Sequence, residues 1–173
     1  MCLEEFRKEQ DGYLWQSFEP ICASADHAAI VHYSATKDSN VPVTENGLFL
    51  TDTGGGYLEG STDITRTFAF GNVPQNMKED FTSVLLCNLH LANVVFPYST
   101  TGGSLDVIGR LPLWKRGLDF NHGTGHGVGY LMNIHEEPAR FRRYLGNKAP
   151  IQDIALEPGM IITDEPGVYI AGS

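Results

Sequence analysis

The sequence predicts an α+β fold in a single domain of 173 residues. Three observations carry that prediction. Helical periodicity is confined to three segments that lie before residue 115. The chain beyond Gly117 reads as strand and loop. No strand–helix–strand rhythm joins the two, so a parallel sheet wound by crossover helices is not indicated. A chain of this length buries a real core.

The elements follow in order. Residues 3–11 form part of a helix, with Leu3 and Phe6 on one face and no capping residue ahead of them. Residues 20–24 and 28–32 are apolar and read as strands. Ser34 to Asn46 is polar and turn-rich, hence loop. Leu48 to Asp52 and Thr62 to Phe70 are rich in β-branched and aromatic residues and read as a hairpin-like pair of strands, with Gly54-Gly55-Gly56 as the turn. Pro74 to Phe96 is the clearest helix. Phe81, Leu85 and Leu89 recur every fourth position, Pro74 suits its first turn and Pro97 ends it. Leu105 to Trp114 reads as a shorter helix bent at Pro112. Met160-Ile161-Ile162 reads as a buried strand.

Composition narrows the function classes. Hydrophobic residues make up 42% and charged residues 19%, ordinary for a soluble globular chain. The formal net charge of −9 argues against nucleic acid, which selects basic surfaces. Acid excess also suits a site that holds cations, because clustered carboxylates repel one another until a metal neutralises them. Cys2, Cys22 and Cys87 cannot all pair within one chain, and none belongs to a metal-binding spacing; reduced thiols in a cytoplasmic protein are expected. No stretch approaches the ~20 apolar residues of a membrane span, and the start lacks a signal-peptide pattern.

The chemistry concentrates in a few short blocks. Asn121-His122-Gly123-Thr124-Gly125-His126-Gly127-Val128-Gly129 places two histidines among four glycines. Those glycines make a helix improbable, each costing ~1 kcal/mol relative to alanine, so the segment reads as extended or looped. Asp52 and Asp63 lie eleven positions apart. On one strand that odd offset would oppose them; across paired strands both can share a face. Taken singly, Asp52 could close a turn and Asp63 could pair with Arg66. Taken with His126 and Glu165, they suggest a carboxylate-rich metal centre. Glu165 ends an apolar run before Pro166-Gly167, and Asp164 should point the other way. His135 follows a strand in this reading, and His32 ends one. Either could be a plain structural residue, or a histidine titrating near neutrality beside the site.

Six blocks in order carry a resemblance. They are Ile30-Val31-His32-Tyr33, Leu50-Thr51-Asp52-Thr53-Gly54, Thr62-Asp63-Ile64-Thr65-Arg66-Thr67, Leu113-Trp114 through Gly129, His135-Glu136, and Glu157-Pro158-Gly159-Met160 through Gly167. Together they resemble the catalytic domain of the Xaa-Pro aminopeptidases, in the wider pita-bread metallopeptidase group with prolidase and methionine aminopeptidase. The resemblance implies a pita-bread fold over residues 1–173. It implies that Asp52, Asp63, His126 and Glu165 are metal ligands, and that His32, His122, His135 and Glu165 serve catalysis. Two divalent ions are implied, manganese in the main, with cobalt or zinc as alternatives. The implied reaction releases an N-terminal residue that precedes proline, by hydroxide attack at a dinuclear site. The substrate is then a peptide with proline in second position.

The alternatives are a noncatalytic pita-bread domain, or the specificity of a prolidase or methionine aminopeptidase. By the same likeness the chain is incomplete at both ends. The family's amino-terminal domains precede it, and a closing strand with one more glutamate ligand follows Ser173. The expectation is therefore a fragment that binds metal poorly, has little activity, and tends to associate with a further copy through an unpaired strand edge.

Overall fold

The computed structural model describes residues 2–143 and 153–172. The stretch 144–152, read from sequence as part of the strand-and-loop region, lies outside the described residues. The chain forms two compact units. The first comprises residues 1–75, 129–134 and 169–173, and the second residues 76–128 and 135–168.

In the first unit, helix α1 (Cys2–Lys8) leads into strand β1 (Tyr13–Gln16). Strand β2 (Ile21–Ser24) follows, then a 3-10 turn over Ala25–Ala29. Strand β3 (Gly47–Thr53), β4 (Gly55–Tyr57), β5 (Gly60–Ser61) and β6 (Ile64–Phe70) complete it. Two antiparallel sheets result, in the orders β1-β4-β5 and β2-β3-β6. The expected pair of strands is thus present as β3 and β6, paired from Gly47↔Phe70 to Thr53↔Ile64. The glycine turn between them is itself strand, since β4 pairs with both β1 and β5.

The strand expected at 28–32 is absent. Ile30 and Tyr33 close consecutive turns, their amides donating to the carbonyls of His27 and Ile30 at 3.1 Å each. Ile30 and Val31 face solvent, and the buried residue is Tyr33, stacked on the His27 ring at 4.4 Å. A short apolar run without a partner strand had only packing to decide its form, and the packing chose Tyr33.

In the second unit, helix α2 (Gln75–Ala92) is followed by two short helices, α3 (Gly102–Leu105) and α4 (Leu111–Trp114). Strands β7 (Gly125–Val128) and β8 (His135–Phe141) form an antiparallel pair. The single helix expected over 105–114 is broken into turns between α3 and α4. Pro112 stands in the first turn of α4, where a missing amide costs nothing, and so it starts a helix where a bend was expected. The apolar stripe of α2 also differs in phase. Phe81, Leu85 and Leu89 are exposed, whereas Ser83, Cys87 and Leu91 are buried. Leu91, Leu105 and Phe141 form the core here, with Val94, Ile108, Leu156 and Ile162 packed on it. Met160-Ile161-Ile162 is not a named strand, and Ile161 is exposed. The segment nevertheless runs beside β7 through an isolated bridge between Gly127 and Ile162.

Candidate metal centre

Asp52 and Asp63 belong to the first unit. Asp52 sits on β3 opposite Thr65 of β6, and Asp63 is two residues before Thr65. Residues two apart on a strand share a face, as do residues directly opposite. Asp63 lies one residue ahead of β6; the strand's alternation, continued back to it, would give it the face of Asp52, and both are half-buried. Beside them, the Thr53 hydroxyl accepts a hydrogen bond from the Arg7 guanidinium at 2.8 Å. His32 lies on an exposed turn, not at a strand end, and makes no hydrogen bond or ion pair among the described residues.

The remaining site residues belong to the second unit, where the glycines explain the geometry. Segment 161–165 runs antiparallel to β7. The Thr163 amide donates to the His126 carbonyl at 2.8 Å, and the Glu165 amide to the Thr124 carbonyl at 2.7 Å. That register sets Glu165 diagonal to His126 on one face, within reach of a long side chain. A Cβ on Gly125 would stand 2.0 Å from the Thr163 carbonyl oxygen, and one on Gly127 would stand 2.1 Å from that of Glu136. Only glycine lets the neighbouring backbones close on both sides of His126.

The result is a tight group. His126 Nε2 lies 2.9 Å from Glu165 Oε1. The His135 ring lies 3.8 Å from the His126 ring, centroid to centroid. His135 opens β8, where sequence had it following a strand, and it is exposed. His122 sits in the loop before β7, its ring against Phe120 at 4.8 Å.

The backbone fixes the ring chemistry. His126 Nδ1 lies 3.0 Å from the Gly127 carbonyl, and His122 Nδ1 lies 2.7 Å from the Gly123 carbonyl. A carbonyl oxygen only accepts, so in the neutral ring Nδ1 carries the proton and Nε2 the lone pair. The Nε2 lone pair of His126 then faces a carboxylate oxygen. Two acceptors 2.9 Å apart need a positive charge shared between them, either a proton or a cation. Adjacent donors on an octahedral ion with bonds of about 2.1 Å stand ~3 Å apart. A carboxylate beside an imidazole matches a hard or borderline divalent ion. These residues fit a metal.

Electrostatics agree with that fit. Burial pushes the Glu165 carboxyl up, but hydrogen bonds from His126 and Thr163 and the two nearby histidines outweigh it, so its pKa falls below the ordinary value. Its neighbour Asp164 goes the other way. Burial, then the Glu165 charge, raise Asp164 to about 7. Neither Asp164 oxygen has a hydrogen-bond partner among the described residues.

Sequence reasoning did not find the group that braces this loop. Asp106, Arg110 and Thr124 are all buried. Arg110 Nε lies 2.6 Å from Asp106 Oδ2, and the Thr124 hydroxyl donates to Asp106 Oδ1 at 2.6 Å. The acid–base spacing of four between Asp106 and Arg110 was the available signal.

Comparison with known proteins gives these observations a common frame. Residues 2–173 match the description of metallopeptidase family M24. A probable Xaa-Pro aminopeptidase P from Talaromyces marneffei is 41% identical over 170 residues, covering 98% of this chain and 25% of that protein. Aminopeptidase P2 of Arabidopsis thaliana is 45% identical over 167 residues, covering 96% of this chain and 23% of that protein. The crystal structure of X-prolyl aminopeptidase from Caenorhabditis elegans, described as a cytosolic enzyme with a di-nuclear active site, superposes with a TM-score of 0.87 at 39% identity. It covers 97% of this chain and 26% of that one. The chain spans about a quarter of the length of the relatives it matches. The α+β architecture is that of the pita-bread proteins. On the match over nearly its whole length, the chain belongs to metallopeptidase family M24.

Proposed function

We propose that this chain carries the catalytic residues of an Xaa-Pro aminopeptidase, which releases an N-terminal residue preceding proline. Asp52, Asp63, His126 and Glu165 hold two divalent cations, manganese foremost. When bound, the cations supply Lewis-acid polarisation of the scissile carbonyl and make water a stronger nucleophile at neutral pH. The chain's own residues do the rest. Glu165, with its depressed pKa, is ionised at neutral pH and is poised to take a proton from the attacking water and return it to the departing proline nitrogen. His135 donates a hydrogen bond to the substrate carbonyl as it gains charge, His122 accepts one from a substrate N–H through its Nε2 lone pair, and His32 assists from its exposed turn. The substrate is a peptide with proline in second position. The cytoplasm is the setting this reading favours, in line with the description of the nematode enzyme.

The observation that carries the proposal is the approach of His126 Nε2 to Glu165 Oε1, two acceptors that a cation would join. Calorimetric titration with Mn²⁺, alongside elemental analysis, tests it. Uptake, however weak, is expected in the unsubstituted chain and should weaken at least tenfold further in Glu165→Gln and His126→Ala. Equal Mn²⁺ affinity in all three would remove both residues from the ligand set. Cleavage of Ala-Ala-peptides as fast as Ala-Pro-peptides by the loaded chain would overturn the specificity.

A further inference from the structure

Arg110 is buried and its guanidinium is used on every side. It forks onto Asp106, with Nε 2.6 Å from Oδ2 and Nη2 3.3 Å from Oδ1. Nη1 donates to Asp119 Oδ1 at 2.9 Å and to the Phe120 carbonyl at 2.6 Å. Nη2 donates to the His122 carbonyl at 2.7 Å. Its plane also covers the Phe120 ring, 3.9 Å from the centroid, and that ring lies against the His122 imidazole. One side chain therefore holds the backbone at residues 120 and 122 and the platform on which the His122 ring rests. Asp106, shared with the Thr124 hydroxyl, ties the same group to the residue whose carbonyl accepts from the Glu165 amide.

A buried charge of this kind is costly unless every donor is satisfied, and it often gives little net stability over an apolar replacement. Here its donors go to loop carbonyls that no intervening secondary structure would otherwise fix. We propose that Arg110 is a positioning residue for His122, holding its ring in the Nδ1-protonated form against the Phe120 ring. The catalytic half of this inference rests on the function proposed above; the structural half does not. Lysine at 110 keeps the charge but cannot make the planar fork.

Long-range ¹H–¹⁵N spectra of the metal-free chain read the His122 ring directly. The unsubstituted chain should give two well-separated ring nitrogen shifts, as one tautomer does. Arg110→Lys, still folded by circular dichroism, should draw them towards a common value. With Mn²⁺ bound, the same variant should lose about 10- to 100-fold in kcat on an Xaa-Pro peptide, with KM within about threefold and metal content unchanged. Arg143→Lys is the control. Arg143 bonds Asp119 from its other oxygen, and its substitution should leave the His122 shifts alone. If Arg110→Lys does not fold, Phe120→Leu removes the platform and should average the same shifts. Unaltered His122 shifts in the folded variants, or equal averaging in Arg143→Lys, would overturn the proposal. Averaged shifts with full kcat would overturn its catalytic half. Should the unsubstituted chain bind Mn²⁺ yet cleave nothing, the functional reading fails and the spectra alone decide the role of Arg110.

Discussion

A histidine ring is useful only when its protons are assigned, and in this chain the backbone does the assigning. Gly123 and Gly127 offer carbonyls to Nδ1 of His122 and His126, which leaves the lone pair of each neutral ring on Nε2. For His122, the consequence is separable from metal binding. His122→Ala should lower turnover by ~10² through loss of a group that positions the substrate, while elemental analysis finds the metal content unchanged. Loss of metal would make His122 a ligand instead.

Tyr13 supplies a second test at this scale. Burial first, then its hydrogen bond to Glu4, raise its pKa to about 12. A folded-state pKa above the unfolded value, near 10, means that the native chain holds the proton longer. That contribution is complete below pH ~10 and is lost as pH rises through about 12. Absorbance at 295 nm should show Tyr13 titrating late, beside Tyr98, which its hydrogen bond to Glu157 also raises. Tyr13→Phe should remove that step and flatten the fall of stability between pH ~10 and 12. A single common titration near pH ~10 would mean that the bond is not formed.

At the scale of elements, β7 is held between β8 and the segment 161–165, and small residues make that possible. Gly125→Ala would drive a Cβ into the Thr163 carbonyl, whose atoms cannot rotate away as a side-chain tip can. It should destabilise by ~1–3 kcal/mol or more in urea unfolding and detach Glu165 from His126. Leaving both stability and Mn²⁺ affinity unmoved would show that the backbones yield easily.

The same scale shows what sequence can and cannot convey. The β3–β6 pair was legible because β-branched and aromatic residues are frequent across the two strands. The non-helical form of His122 to Gly129, a loop and then strand β7, was legible because four glycines make a helix too costly. The phase of α2 was not. Its strongest apolar repeat, Phe81-Leu85-Leu89, is exposed, while the buried line begins with Ser83 and Cys87. Periodicity reports which residues are apolar, but close approach between segments rewards small ones, and that depends on the neighbour. The spacing of four signals the Asp106–Arg110 pair but not the role of Arg110, which lies in carbonyls ten and twelve positions away.

For the molecule as a whole, family membership came from short blocks spread over most of the chain, each weak alone and binding only in order. What composition offered was coarser. A net charge of −9 argues against nucleic acid as a partner but does not point to any residue. Among the described residues, no helix is long and apolar enough to cross a membrane. The expectation of unpaired thiols agrees with Cys22 and Cys87, both free.

Cys87 has a further use. Its side chain is wholly enclosed, and burial raises its pKa, so a thiol reagent meets it only when the second unit opens. In a Cys2→Ser, Cys22→Ser background, the labelling rate of Cys87 becomes a clock for that opening. Without metal, labelling should be slow and accelerate in step with urea. With Mn²⁺ at one hundred times its dissociation constant, a site fed by this unit should slow labelling about a hundredfold, provided reclosing outpaces the reagent. A rate indifferent to Mn²⁺ would mean that the cation grips a part of the chain whose opening Cys87 does not sense. The sulfur that plays no part in the chemistry would thus time how firmly the metal fastens the residues that do.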